Sequence, residues 1–300
     1  MVKQPSSSEA TRSTIAEVLR EGEAALAASS ASPRLDSEVL LRHVLNVSQS
    51  GLIIAFPEEC SEDVHTRFRE LLKRRKKSEP IAYIIGEREF WGLAFRVTPD
   101  VLVPRPESEL LVEQAVKELR GRAKVRLADL GTGSGCLAIS IVRELVVQGC
   151  RDVVCDAIDL SDAALTIARE NAIRHGVASH IRFVRGFWFR ELGDLMRPYD
   201  CIVANPPYID PEERTPPELA FEPRQALFSA DRGLADTAEI LRTGLPLLTP
   251  DGVLLCEVGA GKGPIVDALV APYSRDCQVG YLGDTSTADR FRVVRIAKNS

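Results

Sequence analysis

The sequence predicts an α/β protein with a mostly parallel, doubly wound sheet and a small helical domain in front of it. From Lys124 onward, apolar runs of strand length alternate with segments of helical periodicity, the pattern of a parallel sheet covered by helices. Residues 14 to 78 show only helical patterns separated by polar breaks. The 300 residues, 45% of them hydrophobic, suffice for one large core and a smaller appendage.

The elements before the sheet are predicted to be three helices and a hairpin. Helical patterns cover residues 15–28, 35–45 and 62–77. Residues 81 to 103 alternate aromatic and polar side chains around Gly86 and Gly92, which predicts a hairpin before a helix over 108–119. We therefore expect a disordered start over residues 1–13, a helical domain over 14–79, a hairpin linker over 80–107 and the main domain over 108–300.

The first strand of the main domain, residues 124–130, runs into Gly131-Thr132-Gly133-Ser134-Gly135 and then into a helix over 136–147. Such glycines let the backbone approach a ligand at a helix N-terminus. The next strand, 152–158, ends at Asp159, where nucleotide folds place a ribose-binding carboxylate, although Asp159 could instead cap the following helix. The Gly-x-Gly-x-Gly spacing favours S-adenosylmethionine over a dinucleotide.

The most informative motif is Asn205-Pro206-Pro207-Tyr208, which follows the apolar strand pattern of residues 199–204. The Asn205 side-chain oxygen and the Pro206 carbonyl are two acceptors in a loop that the prolines stiffen. Two acceptors suit one planar NH2 group, and Tyr208 offers an aromatic face beside it. The motif predicts a slot for a weakly nucleophilic nitrogen of a glutamine or a nucleobase, with a simple Pro-rich loop as the structural alternative.

Composition excludes several classes of protein. The net charge of −5 argues against broad affinity for nucleic acid phosphates. One basic run, Arg67 to Lys77, is either a solvated helix end or a docking patch. Seven cysteines without Cys-x-x-Cys spacing and four scattered histidines predict neither a disulfide framework nor a metal site. No apolar stretch has the length of a membrane span or a signal core, so we expect a cytoplasmic protein.

Together these motifs resemble the class I S-adenosylmethionine-dependent methyltransferases. Within that class the chain is similar to the peptide chain release factor glutamine N5-methyltransferases of the HemK type. Pro104-Arg105-Pro106-Glu107, within the resembling segment Val103 to Glu109, is much more specific to that branch, whereas Asn-Pro-Pro-Tyr is shared with adenine N6 methyltransferases. The resemblance covers nearly the whole chain from about Pro80 and also runs through Phe90-Trp91-Gly92, Trp188-Phe189, Glu222-Pro223 and Asp289-Arg290.

The resemblance implies a seven-stranded sheet whose last two strands, near 278–281 and 291–296, form an antiparallel edge. It implies methyl transfer from S-adenosylmethionine to the glutamine of the Gly-Gly-Gln loop in class I release factors, leaving S-adenosylhomocysteine. The helical domain would dock the factor, and we expect a monomer with no stable nucleic acid or membrane partner. Donor contacts would come from Gly131, Thr132, Gly133, Ser134, Gly135, Asp159, Trp188 and Asn205; Asn205 and Pro206 would be catalytic and would bind the glutamine with Pro207 and Tyr208.

Three positions depart from the family pattern. Phe187 stands where the family usually has Asp for the adenine amino group, and it would pack either on the purine or in the core. Lys262 replaces a common Gln, and Arg232 lies in an apparent one-residue insertion. Two alternative functions remain open: an adenine N6 methyltransferase acting on DNA or RNA, and a non-catalytic protein that binds the donor or a release factor.

Overall fold

The computed structural model describes residues 13–190, 198–259, 262–283 and 293–298. The chain forms two compact units, Met1–Gly86 and Glu87–Ser300. The predicted disordered start, except Ser13, and the Asp289-Arg290 motif lie outside the described residues. Within those residues, every helix is too short or too polar to span a bilayer.

The first unit is helical. Its three predicted helices are confirmed to within two residues at each end, because each combines an apolar stripe with clear end signals. One helix of seven residues was not predicted, since it is too short to show a period. In residues 13–86 the helices are α1 (Ile15–Leu26), α2 (Pro33–Leu45), α3 (Gln49–Ala55), α4 (Glu62–Arg75) and α5 (Ile81–Ile85).

The predicted hairpin is shorter than expected. Its first part, Ile81–Ile85, is the helix α5, which Pro80 begins and Gly86 ends in a left-handed conformation. The hairpin itself pairs β1 (Glu87–Phe90) with β2 (Leu93–Arg96) in the second unit. Trp91 and Gly92 both have positive φ, as a two-residue type I′ turn requires. The prediction was wrong over 81–85 because aromatic and apolar alternation cannot separate a five-residue helix from a strand.

Several arginines of the basic run on α4 have carboxylate partners inside the first unit. Arg75 is buried and donates from Nε to Asp36 Oδ2 at 2.7 Å. Arg74 pairs with Glu79 at 2.5 Å, and Arg69 pairs with Glu21 at 2.9 Å. The prediction of a solvated helix end is therefore wrong for Arg75, which lies in the core of this unit.

The second unit contains the predicted seven-stranded sheet, in the order β5-β4-β3-β6-β7-β9-β8 for the described residues. Strands β3 to β7 run parallel to one another, whereas β9 runs antiparallel to both β7 and β8, as expected for the edge. The strands are β3 (Lys124–Leu130), β4 (Asp152–Asp159), β5 (Ile181–Arg185), β6 (Tyr199–Ala204), β7 (Leu248–Glu257), β8 (Cys277–Leu282) and β9 (Val293–Lys298).

Helices cover both faces of this sheet. Leu127 and Val203 face one apolar layer, and their neighbours Leu130 and Ile202 face the other, so the central strands are buried on both sides. The strand order reverses between β3 and β6, where a crevice opens at the carboxyl ends of parallel strands. The described helices of this unit are α6 (Glu109–Leu119), α7 (Cys136–Val147), α8 (Asp162–Arg174), α9 (Ala230–Gly233), α10 (Ala235–Gly244) and α11 (Gly263–Val270).

Candidate functional site

A cavity of about 280 Å³ lies at this crevice and brings the two predicted motifs together. Of the predicted site residues, Gly131, Gly133, Asp159, Trp188, Asn205 and Pro207 line it. The other predicted site residues are not among those that line the cavity in the described structure: Thr132, Ser134, Gly135, Pro206 and Tyr208. Residues that the sequence did not single out complete the lining, among them Phe228, Gln225 and Asp236.

The turn after β3 needs its glycines. Gly131, Gly133 and Gly135 have φ values of +72°, +54° and +82°, a region that residues with a side chain rarely adopt. A Cβ on Gly131 would lie 3.2 Å from the Trp188 ring, and one on Gly135 would lie 2.9 Å from Ile139. The Gly-x-Gly-x-Gly spacing is thus explained by backbone conformation and by close packing against the cavity wall.

Asp129 stabilises this turn by accepting hydrogen bonds from it. Its side chain is fully buried, and Oδ2 accepts hydrogen bonds from Thr132 Oγ1 at 2.6 Å and from the Ala138 backbone N–H at 3.2 Å. Burial raises the pKa of this carboxyl from 3.8 to about 6. Thr132 therefore acts by closing the turn and does not reach the cavity.

Asp129→Asn is expected to change how stability depends on pH. Because the folded-state pKa of Asp129 lies above its unfolded value, its contribution is present below about pH 4 and is lost as pH rises through about 6. Asn keeps the acceptor for Thr132 and Ala138 but does not ionise. The wild type should therefore lose up to about 3 kcal/mol relative to D129N between pH 4 and 8, measured by urea unfolding. Parallel stability curves for the two proteins would contradict this assignment.

Asp159 accepts hydrogen bonds from two backbone N–H groups and does not cap helix α8. Its Oδ2 accepts from the Gly133 N–H and its Oδ1 from the Ser161 N–H, both at 2.9 Å. Helix α8 is capped instead by Ser161, whose Oγ accepts from the Ala164 N–H at 3.2 Å. The capping alternative for Asp159 is therefore wrong. Each carboxylate oxygen keeps acceptor capacity at the cavity wall, which suits a ligand with hydroxyl groups.

Phe187 and Trp188 form the aromatic part of the wall. Trp188 is buried with a positive φ of 53°, and its Nε1 donates to Asp236 Oδ1 at 3.0 Å. Phe187 is 37% exposed, lines the cavity, and lies 5.6 Å from the Trp188 ring between centroids. The core alternative for Phe187 is therefore wrong, because Trp188 takes the buried position next to it.

Asn205 is held by a buried chain of hydrogen bonds. Its Nδ2 donates to Ser108 Oγ at 2.9 Å, and Ser108 Oγ donates to Glu257 Oε2 at 2.6 Å. Ser108 and Glu257 are each 2% exposed. Sequence reasoning missed both residues. The signal available in the sequence was Glu257, a carboxylate inside the apolar run 253–258, since buried acids need a partner.

The Pro104-Arg105-Pro106 segment is fastened to another family motif. Arg105 donates to Glu222 Oε1 at 2.5 Å, and the Val103 backbone N–H donates to Glu222 Oε2 at 3.1 Å. Glu222 is buried, and the next residue, Pro223, lines the cavity. These bonds make the wall formed by Glu222-Pro223 stiff near the cavity.

Lys262 and Arg232, the other two positions that depart from the family pattern, are joined by a hydrogen bond. Lys262 Nζ donates to the backbone carbonyl of Tyr208 and, at 2.6 Å, to that of Arg232. Arg232 has a positive φ of 59°. A Cβ on Gly233 would lie 2.1 Å from the Tyr208 carbonyl oxygen. Lys262 thus joins the loop of the apparent insertion to the Asn-Pro-Pro-Tyr loop.

Comparisons with known proteins agree with this architecture. Residues 17–86 match the family model described as PrmC N-terminal domain, and residues 106–227 match the Methyltransferase small domain. The chain is 39% identical to the release factor glutamine methyltransferase of Nitratidesulfovibrio vulgaris, over 88% of each protein. The chain belongs to the release factor glutamine methyltransferase family.

A second relative supports this family assignment, and a solved structure shows the same fold. The chain is 43% identical to the enzyme of the same name from Coxiella burnetii, over 77% of this chain and 80% of that protein. The structure of the hMettl16 catalytic domain in complex with MAT2A 3'UTR hairpin 6 aligns with a TM-score of 0.50, at 17% identity, over 80% and 82% of the two chains. That likeness shows the methyltransferase fold. By family and fold, the chain is a methyltransferase.

Proposed function

We propose that this methyltransferase transfers the methyl group of S-adenosylmethionine to the side-chain nitrogen N5 of the glutamine in the Gly-Gly-Gln motif of release factors. The observation that carries the proposal is the Asn205 carboxamide, held by Ser108 at the border of a cavity bounded by the glycine turn and Asp159. The names of the relatives supply the substrate class. S-adenosylhomocysteine would be the product, and the reaction would take place in the cytoplasm.

The described residues fit such a donor. The Gly131 to Gly135 turn leaves space where side chains would stand, and Asp159 offers acceptors for ribose hydroxyls. Phe187 and Trp188 supply an aromatic wall for the purine. When bound, the donor supplies an electrophilic methyl group on a sulfonium. Gly131, Gly133, Asp159 and Trp188 would hold it, with Thr132, Ser134 and Gly135 shaping the turn around it.

The protein's task is then to align a poor nucleophile. A glutamine amide nitrogen is weakly nucleophilic because its lone pair is delocalised into the carbonyl. We propose that Asn205 Oδ1 and the Pro206 carbonyl accept its two N–H hydrogens, which orients the lone pair and stabilises the positive charge that develops on nitrogen. Pro207 and the Tyr208 ring would confine the amide plane. Methylation makes the nitrogen acidic, so its proton can leave to water and no strong base is needed.

The first unit is proposed to dock the folded factor. The match to the PrmC N-terminal domain and the separate helical core of this unit support a dedicated role. Since Arg69, Arg74 and Arg75 have carboxylate partners, docking would rely on shape as much as on positive charge.

A methyl-transfer assay with purified protein tests this function. Labelled donor is incubated with a release factor, with the same factor carrying Ala at the Gly-Gly-Gln glutamine, and with adenine-containing DNA and RNA oligonucleotides. Label is expected only on the unaltered factor. Labelling of oligonucleotides alone would favour the adenine N6 alternative, and no label on any substrate would favour a binding protein.

Phe187→Asp is expected to bind the donor severalfold more tightly than Phe187→Leu, since both variants lose the aromatic ring and only Asp adds an acceptor. Phe187 is half-exposed at the wall where the purine would lie, so a carboxylate there gains an acceptor for the purine amino group without full burial of its charge. One added hydrogen bond corresponds to roughly 2- to 10-fold in affinity. Calorimetric titration measures the change, and Phe187→Leu is the matched control because it offers no acceptor. Weaker binding by F187D than by F187L would contradict the proposed purine position.

A further inference from the structure

Three polar side chains from distant parts of the chain form one buried line behind the slot. Ser108 lies just before α6, Asn205 follows β6, and Glu257 ends β7. Asn205 Nδ2 lies 2.9 Å from Ser108 Oγ, which in turn lies 2.6 Å from Glu257 Oε2. Ser108 and Glu257 are almost inaccessible to solvent, so their polar atoms are satisfied by protein rather than by bulk water.

The number of hydrogens that each group can donate decides which group is the donor in each of these two hydrogen bonds. A serine hydroxyl has one hydrogen to donate, and an ionised carboxylate can only accept. The Ser108 hydrogen therefore points to Glu257, and the Ser108 oxygen is left to accept. Only the NH2 side of the Asn205 carboxamide can face an acceptor, so Oδ1 must point the other way.

We propose that Glu257 and Ser108 are positioning residues that fix the polarity of the Asn205 carboxamide and so keep its oxygen directed to the substrate amide. The proposal rests on the proposed function, in which Asn205 Oδ1 accepts a hydrogen from the glutamine NH2 group. A carboxamide turned by 180° would present its own NH2 to the substrate NH2. Two donors would then face each other, and the slot would repel the nitrogen that it has to align.

The proposal includes an ionised Glu257 carboxylate, which can only accept from Ser108 and so sets the direction of both hydrogen bonds. In Glu257→Gln the shape is nearly kept, but the new amide NH2 can donate to Ser108 Oγ. The Ser108 hydrogen is then free to point to Asn205, where it stabilises the turned carboxamide with its oxygen toward Ser108. Glu257→Gln thus separates polarity from packing, and Ser108→Ala removes the connection between Glu257 and Asn205 altogether.

The test compares Glu257→Gln, Ser108→Ala and Ser108→Thr in the full chain. Ser140→Ala is the control, since Ser140 on α7 has a fully buried hydroxyl that makes no hydrogen bond within the described residues. We measure kcat and KM for a release factor, donor affinity by calorimetry, and the melting temperature. Glu257→Gln and Ser108→Ala are expected to lower kcat by about 10- to 100-fold, with a much smaller change in donor affinity.

Conservative rescue and coupling give two independent checks. Ser108→Thr keeps the hydroxyl and should retain most of the kcat that Ser108→Ala loses. The double variant of Ser108→Ala and Glu257→Gln should be no slower than the slower single variant, because both changes act through one connection. Should Glu257→Gln fail to fold, the comparison of Ala with Thr at position 108 still tests the hydroxyl.

Different results would overturn the two proposals. A folded Glu257→Gln variant with normal kcat, or a Ser108→Thr variant as slow as Ser108→Ala, overturns the positioning role while the wild type remains active. A wild-type protein that transfers no methyl group to the factor overturns the proposed function itself.

Discussion

Replacing Asn205 with Ala is expected to lower kcat for release factor methylation by about 100-fold or more. This is the scale on which the loss of one preorganised hydrogen-bonding group slows a reaction. Asn205 borders the cavity, and its carboxamide is oriented by Ser108 before any substrate binds. The alanine variant cannot accept the amide hydrogen, so the nitrogen lone pair loses its alignment with the methyl group.

Single-turnover kinetics with saturating donor measure this change in Asn205→Ala. The melting temperature of the variant should stay near that of the wild type, because Asn205 is only partly buried and the prolines after it keep the loop in place. A folded variant with near-normal kcat would remove Asn205 from the mechanism.

Replacing Asp156 with Ala is expected to lower the free energy of unfolding by about 3 kcal/mol or more. Asp156 is 1% exposed in the middle of β4. Its carboxylate accepts from Arg126 at 2.9 Å, from Arg182 at 2.7 Å and from the Tyr199 hydroxyl at 2.7 Å. Removing it leaves a buried hydroxyl and an arginine without their partner, and breaking such buried pairs costs about 3–5 kcal/mol. The partial exposure of both arginines sets the expectation at the lower end.

Asp152→Ala is the matched control on the same strand. Asp152 pairs with Lys124 at 2.9 Å, but both side chains are more than half exposed. Exposed pairs contribute about 0–1 kcal/mol, so this variant should unfold almost as the wild type does. Urea denaturation of the three proteins gives the comparison. Equal loss in both variants would mean that burial of the Asp156 network does not matter.

The central sheet could be predicted from sequence because its strands are buried on both faces. Strand β3 is found at 124–130, helix α7 at 136–147 and strand β6 at 199–204, as predicted. Each is a largely apolar segment with a glycine or proline boundary. Strand β7 begins at Leu248, whereas the apolar run that marks a strand in the sequence covers only 253–258. The residues before that run, Pro250-Asp251-Gly252, have the composition of a turn. Pairing with β6, which is irregular between Tyr199 and Cys201, accommodates that segment in the sheet.

The site was predictable only where its residues are adjacent in sequence. The glycine turn and the residues after β6 can be recognised in the sequence by their spacing. The topology of the sheet brings both to one crevice. The hydrogen bonds that orient Asn205 join residues 97 and 149 positions apart, so no local pattern reveals them. The same holds for Asp236, which is 48 positions from the Trp188 that it binds. Phe187 was ambiguous because burial depends on which of two neighbouring aromatic residues the backbone turns inward.

Fragmentation mass spectrometry of a release factor after incubation with the protein and S-adenosylmethionine tests the central claim most directly. The account predicts one added methyl group, on the side-chain nitrogen of the Gly-Gly-Gln glutamine, and about 100-fold slower addition of that group by Asn205→Ala. A methyl group on another residue of the factor, or one that the Asn205→Ala variant adds equally well, would contradict it.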